Sequence, residues 1–289
     1  MPRSRAPAAL ALLVLLTLQG CASAPKPTAR GISDERPMTA LRDEPFAQSE
    51  RFVDADALLA AQSAGLPTVR VAADAVAAGI SADQAELVAN RAARDVCNGL
   101  ARHVRLDEVN PDLRVELVVT AIRPTSAAAA GASALLGVWV PGPFRLPAGL
   151  GGFAADGAAR VSGEPALLLH WAEGAGAITE DAKLSSIGDA YQLAAEFAED
   201  FLRAFADPRG EEAPTRARID DATREAGEAR CKAAFGSASI AGRGASFLLP
   251  LSPEAIDAGA PEPSDGEADA PVPDASTGGS ATTPPPRDD

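Results

Sequence analysis

The residue types that most often perform chemistry are scarce in this chain. It holds two histidines, His103 and His170, and three cysteines, Cys21, Cys97 and Cys231. Neither histidine stands at the spacing from a cysteine, an aspartate or another histidine that zinc sites use, so we expect no bound metal. No nucleophile motif surrounds His170, and His103 falls near a predicted helix C-terminus, where an imidazolium is favoured. Both histidines are therefore predicted to be structural or surface residues.

Motifs for catalysis and for cofactor binding are also missing from the sequence. No Gly-x-Ser-x-Gly motif occurs, and the glycines of 149–152 lack the lysine or the spacing of a phosphate-binding or dinucleotide-binding loop. The carboxylates Glu196, Glu199 and Asp200 are predicted to lie on the solvated face of a helix rather than to act as an acid and base pair. We expect neither a catalytic residue nor a cofactor.

Cys21 differs from the other two cysteines because it ends an export signal. Two arginines precede the apolar stretch Ala8–Leu18, which is too short to span a bilayer as a helix and suits the core of a signal peptide. The residues Leu18-Gln19-Gly20-Cys21 resemble the lipobox of bacterial lipoproteins. That resemblance implies removal of residues 1–20 and acylation of the Cys21 thiol. The alternative is an ordinary secretory signal in which Cys21 is incidental.

The residue after the cysteine bears on the destination of the chain. Ala22 stands where Gram-negative lipoproteins that stay in the inner membrane usually carry aspartate, so the resemblance implies an outer-membrane anchor with the domain facing the periplasm. Several acyl chains, at roughly 0.8 kcal/mol for each buried methylene, would hold the chain at the membrane without a transmembrane helix.

Cys97 and Cys231 are the two cysteines that remain once Cys21 is acylated. In a compartment that oxidises exposed thiol pairs, an even remainder predicts a disulfide between them. The alternative is two separately buried free thiols, because free cysteine is among the most buried residue types.

Composition divides the chain into a domain and two flanking segments. Residues 252–289 carry nine acidic residues against one arginine, which accounts for −8 of the net charge of −14 and leaves −6 elsewhere. A negative surface repels phosphate backbones, so nucleic-acid binding is excluded. The eight prolines of 252–289 predict a disordered tail, and the polar residues 21–50 predict a flexible tether. The folded domain is then 51–251.

Hydrophobic periodicity predicts the elements of this domain. Ser81 and Gln84 form a capping-box pattern that opens a helix to about His103, and a second amphipathic helix runs from Ile187 to Phe205. Strands are predicted at 68–73 and 113–121, the latter with one face toward water, and a hairpin is predicted from 152–162 and 165–173.

The order of these elements predicts an α+β fold. We expect an antiparallel or mixed sheet with the two amphipathic helices packed on one face. A short helical extension around Cys231 should follow them.

The stretch 124–144 contains no charged residue, and its interpretation stays open. Glycines and prolines interrupt it, and its alanines contribute little insertion energy, which together argue against a membrane span. A buried loop with a short helix is favoured, and the other reading is an exposed contact with a membrane or partner. The residues of that candidate contact surface are Leu135, Leu136, Val138, Trp139, Val140 and Phe144.

The block from Asp112 to Phe205 resembles a protein family. It begins with Asp-Leu-Arg-Val-Glu-Leu-Val-Val-Thr-Ala-Ile-Arg-Pro, continues through Leu-Gly-Gly-Phe and Ser-Gly-Glu, and ends in the aromatic-rich helix. This is similar to Gram-negative outer-membrane lipoproteins catalogued as a domain of unknown function, in which a lipobox precedes one α/β domain. The resemblance covers about 52–205 and rests on motif order. It implies location and architecture and transfers no catalytic residue. The acidic tail and the Cys97/Cys231 pair depart from it.

Together these features predict a periplasmic domain on a lipid anchor, with a non-catalytic binding or scaffolding role in the cell envelope. Its membrane contact would be the N-terminal lipid, and its partner could be an envelope protein. The alternative is a membrane-active subunit of an envelope export or assembly complex that uses 134–144 to enter lipid or a partner. A hydrolase is the third hypothesis.

Overall fold

A computed structural model of the protein describes residues 24–26, 30–125, 151–175, 185–210, 216–238 and 252–261. These residues form a mixed sheet of eight strands with helices packed against one face. The predicted α+β fold class is confirmed.

The sheet is antiparallel through its centre and parallel at one edge. Its strands run in the spatial order β1-β2-β8-β7-β6-β3-β5, and β4 also pairs with β6. The pairs β1/β2, β2/β8, β8/β7 and β7/β6 are antiparallel, whereas β3 and β4 lie parallel to β6. The strand bounds are β1 Thr39–Asp43, β2 Ala47–Val53, β3 Ser63–Ala64, β4 Thr68–Val71, β5 Arg105–Leu106, β6 Leu113–Arg123, β7 Gly152–Val161 and β8 Glu164–Gly174.

The predicted hairpin is present as β7 and β8. Ser162 and Gly163 connect the two strands with φ angles of 52° and 89°. Two successive positive φ angles are typical of the type I′ turn, whose twist matches that of the flanking strands.

The described residues also form five helices, of which two cover the sheet. Their bounds are α1 Ala55–Ala60, α2 Ala82–Leu100, α3 Gly188–Ala206, α4 Asp221–Phe235 and α5 Pro253–Ile256. The capping box of α2 is formed. The backbone N–H of Gln84 donates to Ser81 Oγ at 3.2 Å, and the backbone N–H of Ser81 donates to Gln84 Oε1 at 3.1 Å. The aromatic face of α3 is buried with the residues of α2 and the sheet in one hydrophobic core.

A disulfide fixes helix α4 to this core. The predicted partners Cys97 in α2 and Cys231 in α4 are bonded, with their Cα atoms 5.7 Å apart and a sequence separation of 134. Both cysteines are fully buried. The bond therefore closes α4 onto α2 and provides the predicted helical extension with a covalent attachment.

The predicted tether is shorter than residues 21–50. Strands β1 and β2 add two strands to the sheet, and Ala24 and Ile32 are buried. These strands are difficult to predict from the sequence because the buried side chains of β2, Ala47 and Ser49, are small. The alternation of apolar and polar residues is therefore weak. The domain boundary predicted at residue 51 is corrected accordingly.

The predicted disordered tail also begins too early, because 252–261 pack on the domain. Helix α5 forms there, and the Asp257 side chain is fully buried against Arg94. The ion pair with Arg94 and hydrogen bonds to Asp257 and Glu254 hold this segment on the domain, although its average composition favours disorder.

Strand β6 departs from its predicted half-burial. Its outer face was expected to meet water, but Val118 is fully buried with Ile32, Ala158 and Leu168 in a second, smaller core. The N-terminal segment covers this part of the helix-free face, which explains the difference.

Candidate functional site

A cavity of about 420 Å³ opens on the sheet face that the helices leave free. The volume is in the range of small-ligand sites. The lining comes from the N-terminal segment and from strands β1, β2, β6, β7 and β8, and its polar part includes Arg30, Asp43, Gln48, Glu50, Thr120 and His170.

The register of the sheet brings its central polar residues into one row. Asp156 of β7 lies opposite His170 of β8, and His170 lies opposite Glu50 of β2. Residues directly opposite each other in antiparallel strands share a face of the sheet, so these three side chains lie side by side.

Asp156 is the most highly bonded residue of this row. It is 4% exposed, and its Oδ1 atom lies 2.7 Å from His170 Nδ1. Its Oδ2 atom accepts the backbone N–H groups of Gly31 at 2.6 Å and Ile32 at 3.0 Å. One carboxylate therefore orients the imidazole and holds the N-terminal segment on the sheet.

These contacts define the hydrogen-bonding capacity of His170. An ionised carboxylate only accepts hydrogen bonds, so Nδ1 carries the proton of the neutral ring and Nε2 is an acceptor. Within the described residues, nothing makes a hydrogen bond to Nε2. Since His170 lines the cavity, this acceptor is available to a ligand.

Thr120 contributes a second group without a protein partner. The residue is 4% exposed, and among the described residues its hydroxyl has no hydrogen-bond partner. Its methyl carbon lies on the same side of the sheet as Gly31, where a Cβ on that glycine would approach within 2.9 Å. A buried hydroxyl left without a partner costs about 1–3 kcal/mol of stability.

The charged groups of the cavity are unequally paired. Arg30 forms an ion pair with Glu50, and Arg42 forms ion pairs with Glu173 at 2.5 Å and with Asp200. Asp43 has no ion pair within the part of the chain that the structure describes. Both arginines are thus neutralised, and the groups that stay free are mainly acceptors. The lining favours a ligand that presents N–H or O–H donors.

Comparison with protein-family models and with curated protein sequences found no match. Two solved structures are similar to part of the chain: PelC dodecamers from Paraburkholderia phytofirmans, one of them a variant. The variant covers 55% of this chain and 96% of its own, with 10% identity and a TM-score of 0.35. The other covers 60% and 99%, with 10% identity and a TM-score of 0.36.

The carboxylates of α3 are less solvated than the sequence predicts. Glu199 is exposed, but the Asp200 side chain is 10% exposed and accepts a hydrogen bond from Trp171 Nε1 at 2.9 Å. Burial, together with the nearby carboxylates, raises the pKa of Glu173 and of Glu196, although Arg42 opposes this. Strand β1, which the sequence assigns to the tether, supplies that arginine and converts a solvated face into an ion-pair cluster.

His103 also differs from its prediction. Burial lowers its pKa below the ordinary value, although backbone acceptors near Ala217 and Arg216 oppose the effect. The ring contacts Phe205 edge-on, with centroids 6.4 Å apart. The environment therefore favours the neutral imidazole and not the helix-end imidazolium.

Several predicted site residues lie outside the described residues. They are Cys21 and the candidate contact surface of Leu135, Leu136, Val138, Trp139, Val140 and Phe144. Within the described ranges, no group of three metal-ligating side chains occurs and no helix is long and apolar enough to cross a membrane.

Proposed function

We propose that the chain is a lipoprotein of the outer membrane, anchored by acylated Cys21, whose domain faces the periplasm and acts by binding. The motif Leu18-Gln19-Gly20-Cys21 supports the anchor, and Ala22 supports the outer membrane over the inner one. An envelope protein or a small molecule could be the bound partner, and the cavity favours the small molecule.

The observation that carries the binding role is His170 Nε2, an acceptor on a residue that lines the cavity and without a hydrogen-bond partner among the described residues. Buried polar groups in proteins are nearly always hydrogen-bonded, so an unused acceptor beside a cavity is the feature that a bound ligand would explain. The ligand class is a small molecule with N–H or O–H donors.

The Asp156–His170 pair also resembles the orienting and basic members of a catalytic triad. Such a site needs a nucleophile in hydrogen-bond contact with the base. Among the described residues, no serine, threonine or cysteine makes that contact with His170 Nε2. The geometry supports binding more than hydrolysis.

Nuclear magnetic resonance provides a test, because the chain has only two histidines. The probe is ethanolamine, which carries ammonium and hydroxyl donors, and acetate serves as an acceptor-only comparison. We expect ethanolamine to shift the His170 ring signals at neutral pH and acetate to leave them unchanged.

Variants make this test specific. His170→Ala lacks the ring signals and is followed through the backbone amide signals of the cavity residues; it should bind ethanolamine at least several-fold more weakly. The matched control His103→Ala should bind as the wild type does. Equal shifts with acetate, or undiminished binding in His170→Ala, would contradict the proposal.

A further inference from the structure

We infer that the β1/β2 hairpin lies against a zwitterionic lipid surface, with the side chains of Leu41 and Phe46 in the headgroup region. The inference rests on the proposed anchor at Cys21, and it adds how the domain is oriented on the membrane.

Ala24 lies only three residues after Cys21 and is fixed on the sheet. Ala24 is 3% exposed and packs on Ala154 and Ala172 of the sheet. Its N–H donates to the carbonyl oxygen of Pro45, in the hairpin turn, at 2.9 Å. Three residues span at most about 11 Å when fully extended. A lipid on Cys21 would therefore hold the bilayer surface within that distance of the hairpin turn.

The ends of β7 and β8 lie beside the same hairpin turn, so this end of the sheet would face the membrane. The Gly174 N–H at the end of β8 donates to the carbonyl oxygen of Phe46 at 2.8 Å. Gly152 at the start of β7 pairs with Gly174, and a Cβ on Gly152 would approach Pro25 within 2.9 Å. The N-terminal segment, the hairpin turn and the ends of β7 and β8 form one edge.

The exposed large hydrophobic side chains are concentrated at this end of the sheet. Among the described residues, three large hydrophobic side chains are exposed: Leu41 at 44%, Phe46 at 42% and Val109 at 89%. Two of these belong to the hairpin beside Ala24. Val109 precedes β6 and lies at the opposite end of that strand, whose 11 residues span roughly 35 Å.

The negative charges beside the hairpin turn favour a zwitterionic lipid surface over an anionic one. Asp43 and Glu44 flank the hairpin turn and are exposed. Anionic headgroups would repel these carboxylates, whereas a zwitterionic surface admits the apolar side chains without that repulsion. The two exposed hydrophobic residues then bury apolar area that water would otherwise cover.

Tryptophan reporters on tethered protein test this orientation. The chain cut before Cys21 is purified with its disulfide formed, and the free Cys21 thiol is coupled to a maleimide lipid in phosphatidylcholine vesicles with or without brominated acyl chains. Bromine quenches tryptophan fluorescence at close range. The reporters are Phe46→Trp and Leu41→Trp, and Val109→Trp is the matched exposed control. Each is read as the difference from the wild type, which already contains two tryptophans.

We expect brominated lipid to quench the added fluorescence of Phe46→Trp and Leu41→Trp at least twofold and to leave that of Val109→Trp unchanged. Leu41→Trp decides the outcome if Phe46→Trp does not fold by circular dichroism. Absence of quenching at the hairpin reporters, or equal quenching at Val109→Trp, would overturn the orientation. Because the lipid is attached chemically, a negative result leaves natural acylation of Cys21 unaffected, and the two claims can fail separately.

Discussion

Asp257 is the residue on which the C-terminal segment depends. Its carboxylate accepts hydrogen bonds from Arg94 at 2.9 and 2.5 Å and from the Tyr191 hydroxyl at 2.5 Å, and the side chain is fully buried. Burial by itself would raise the pKa of Asp257, but the hydrogen bonds from Arg94 and Tyr191 outweigh it and lower the pKa below its ordinary value of 3.8.

Asp257→Asn should therefore destabilise the protein. Removing one partner of a buried ion pair leaves an uncompensated charge on Arg94, which costs about 3–5 kcal/mol. Since the folded pKa lies below the unfolded one, the stabilisation is present above pH 3.8 and is lost as pH falls below that value. Urea denaturation at neutral and acidic pH measures both effects.

A surface variant provides the comparison. Glu86 is exposed on the same helix as Arg94, so Glu86→Gln should change the free energy of unfolding by less than about 0.5 kcal/mol. A loss at Asp257→Asn as small as this would show that the ion pair does not stabilise the fold.

The Asp156–His170 pair illustrates what a sequence leaves undetermined at the scale of residues. A regular hairpin, continued from the pairing of Val161 with Glu164, would place Asp156 opposite Leu169. A register shift between Ala159 and Arg160 moves the pairing by one residue and places Asp156 opposite His170. The isolated aspartate in an apolar strand signals a buried partner. Its identity depends on a bulge that no local pattern predicts.

Among the helices and strands, those with strong hydrophobic periodicity could be predicted from the sequence, whereas those with small buried side chains could not. Helices α2 and α3 and the β7/β8 hairpin carry clear amphipathic or alternating patterns, and the structure confirms them. Strand β2 joins the sheet by backbone pairing with β8, and β1 joins it by pairing with β2; such pairing leaves little trace in residue type. The cavity was not predicted for the same reason, because four of the six polar residues named in its lining, Arg30, Asp43, Gln48 and Glu50, come from these strands and the N-terminal segment.

The segment 252–261 is the element whose role changes most, and truncation tests it. Ending the chain after Leu251 removes Asp257 and α5, and should lower the free energy of unfolding by about 3 kcal/mol or more because Arg94 loses its buried partner. Thermal and urea denaturation give the measurement.

The matched control ends the chain after Pro261, which keeps Asp257 and removes only residues beyond the described segment. It should unfold as the full chain does, within about 0.5 kcal/mol. If both truncations behave like the full chain, the packing of 252–261 contributes nothing to stability.

In the whole molecule, the two faces of the sheet differ: one is covered by helices, and the other carries the N-terminal segment and the cavity. Helices α2 and α3 and the disulfide stabilise one face. The other carries the N-terminal segment, which lines the cavity through Pro25 and Arg30. The proposed anchor and the proposed ligand site therefore share a face and a segment. A ligand in this cavity would lie close to the membrane surface.

The proposed function depends on the lipid anchor at Cys21, and mass spectrometry of the N-terminal peptide detects that anchor. The chain is purified from detergent-solubilised membranes of the organism that makes it, and the peptide ending at Arg30 is analysed. We predict that this peptide begins at Cys21 and carries a diacylglyceryl group on the thiol together with an acyl group on the new amine. A peptide with an unmodified Cys21 thiol, or one that begins at any other residue, would contradict the account.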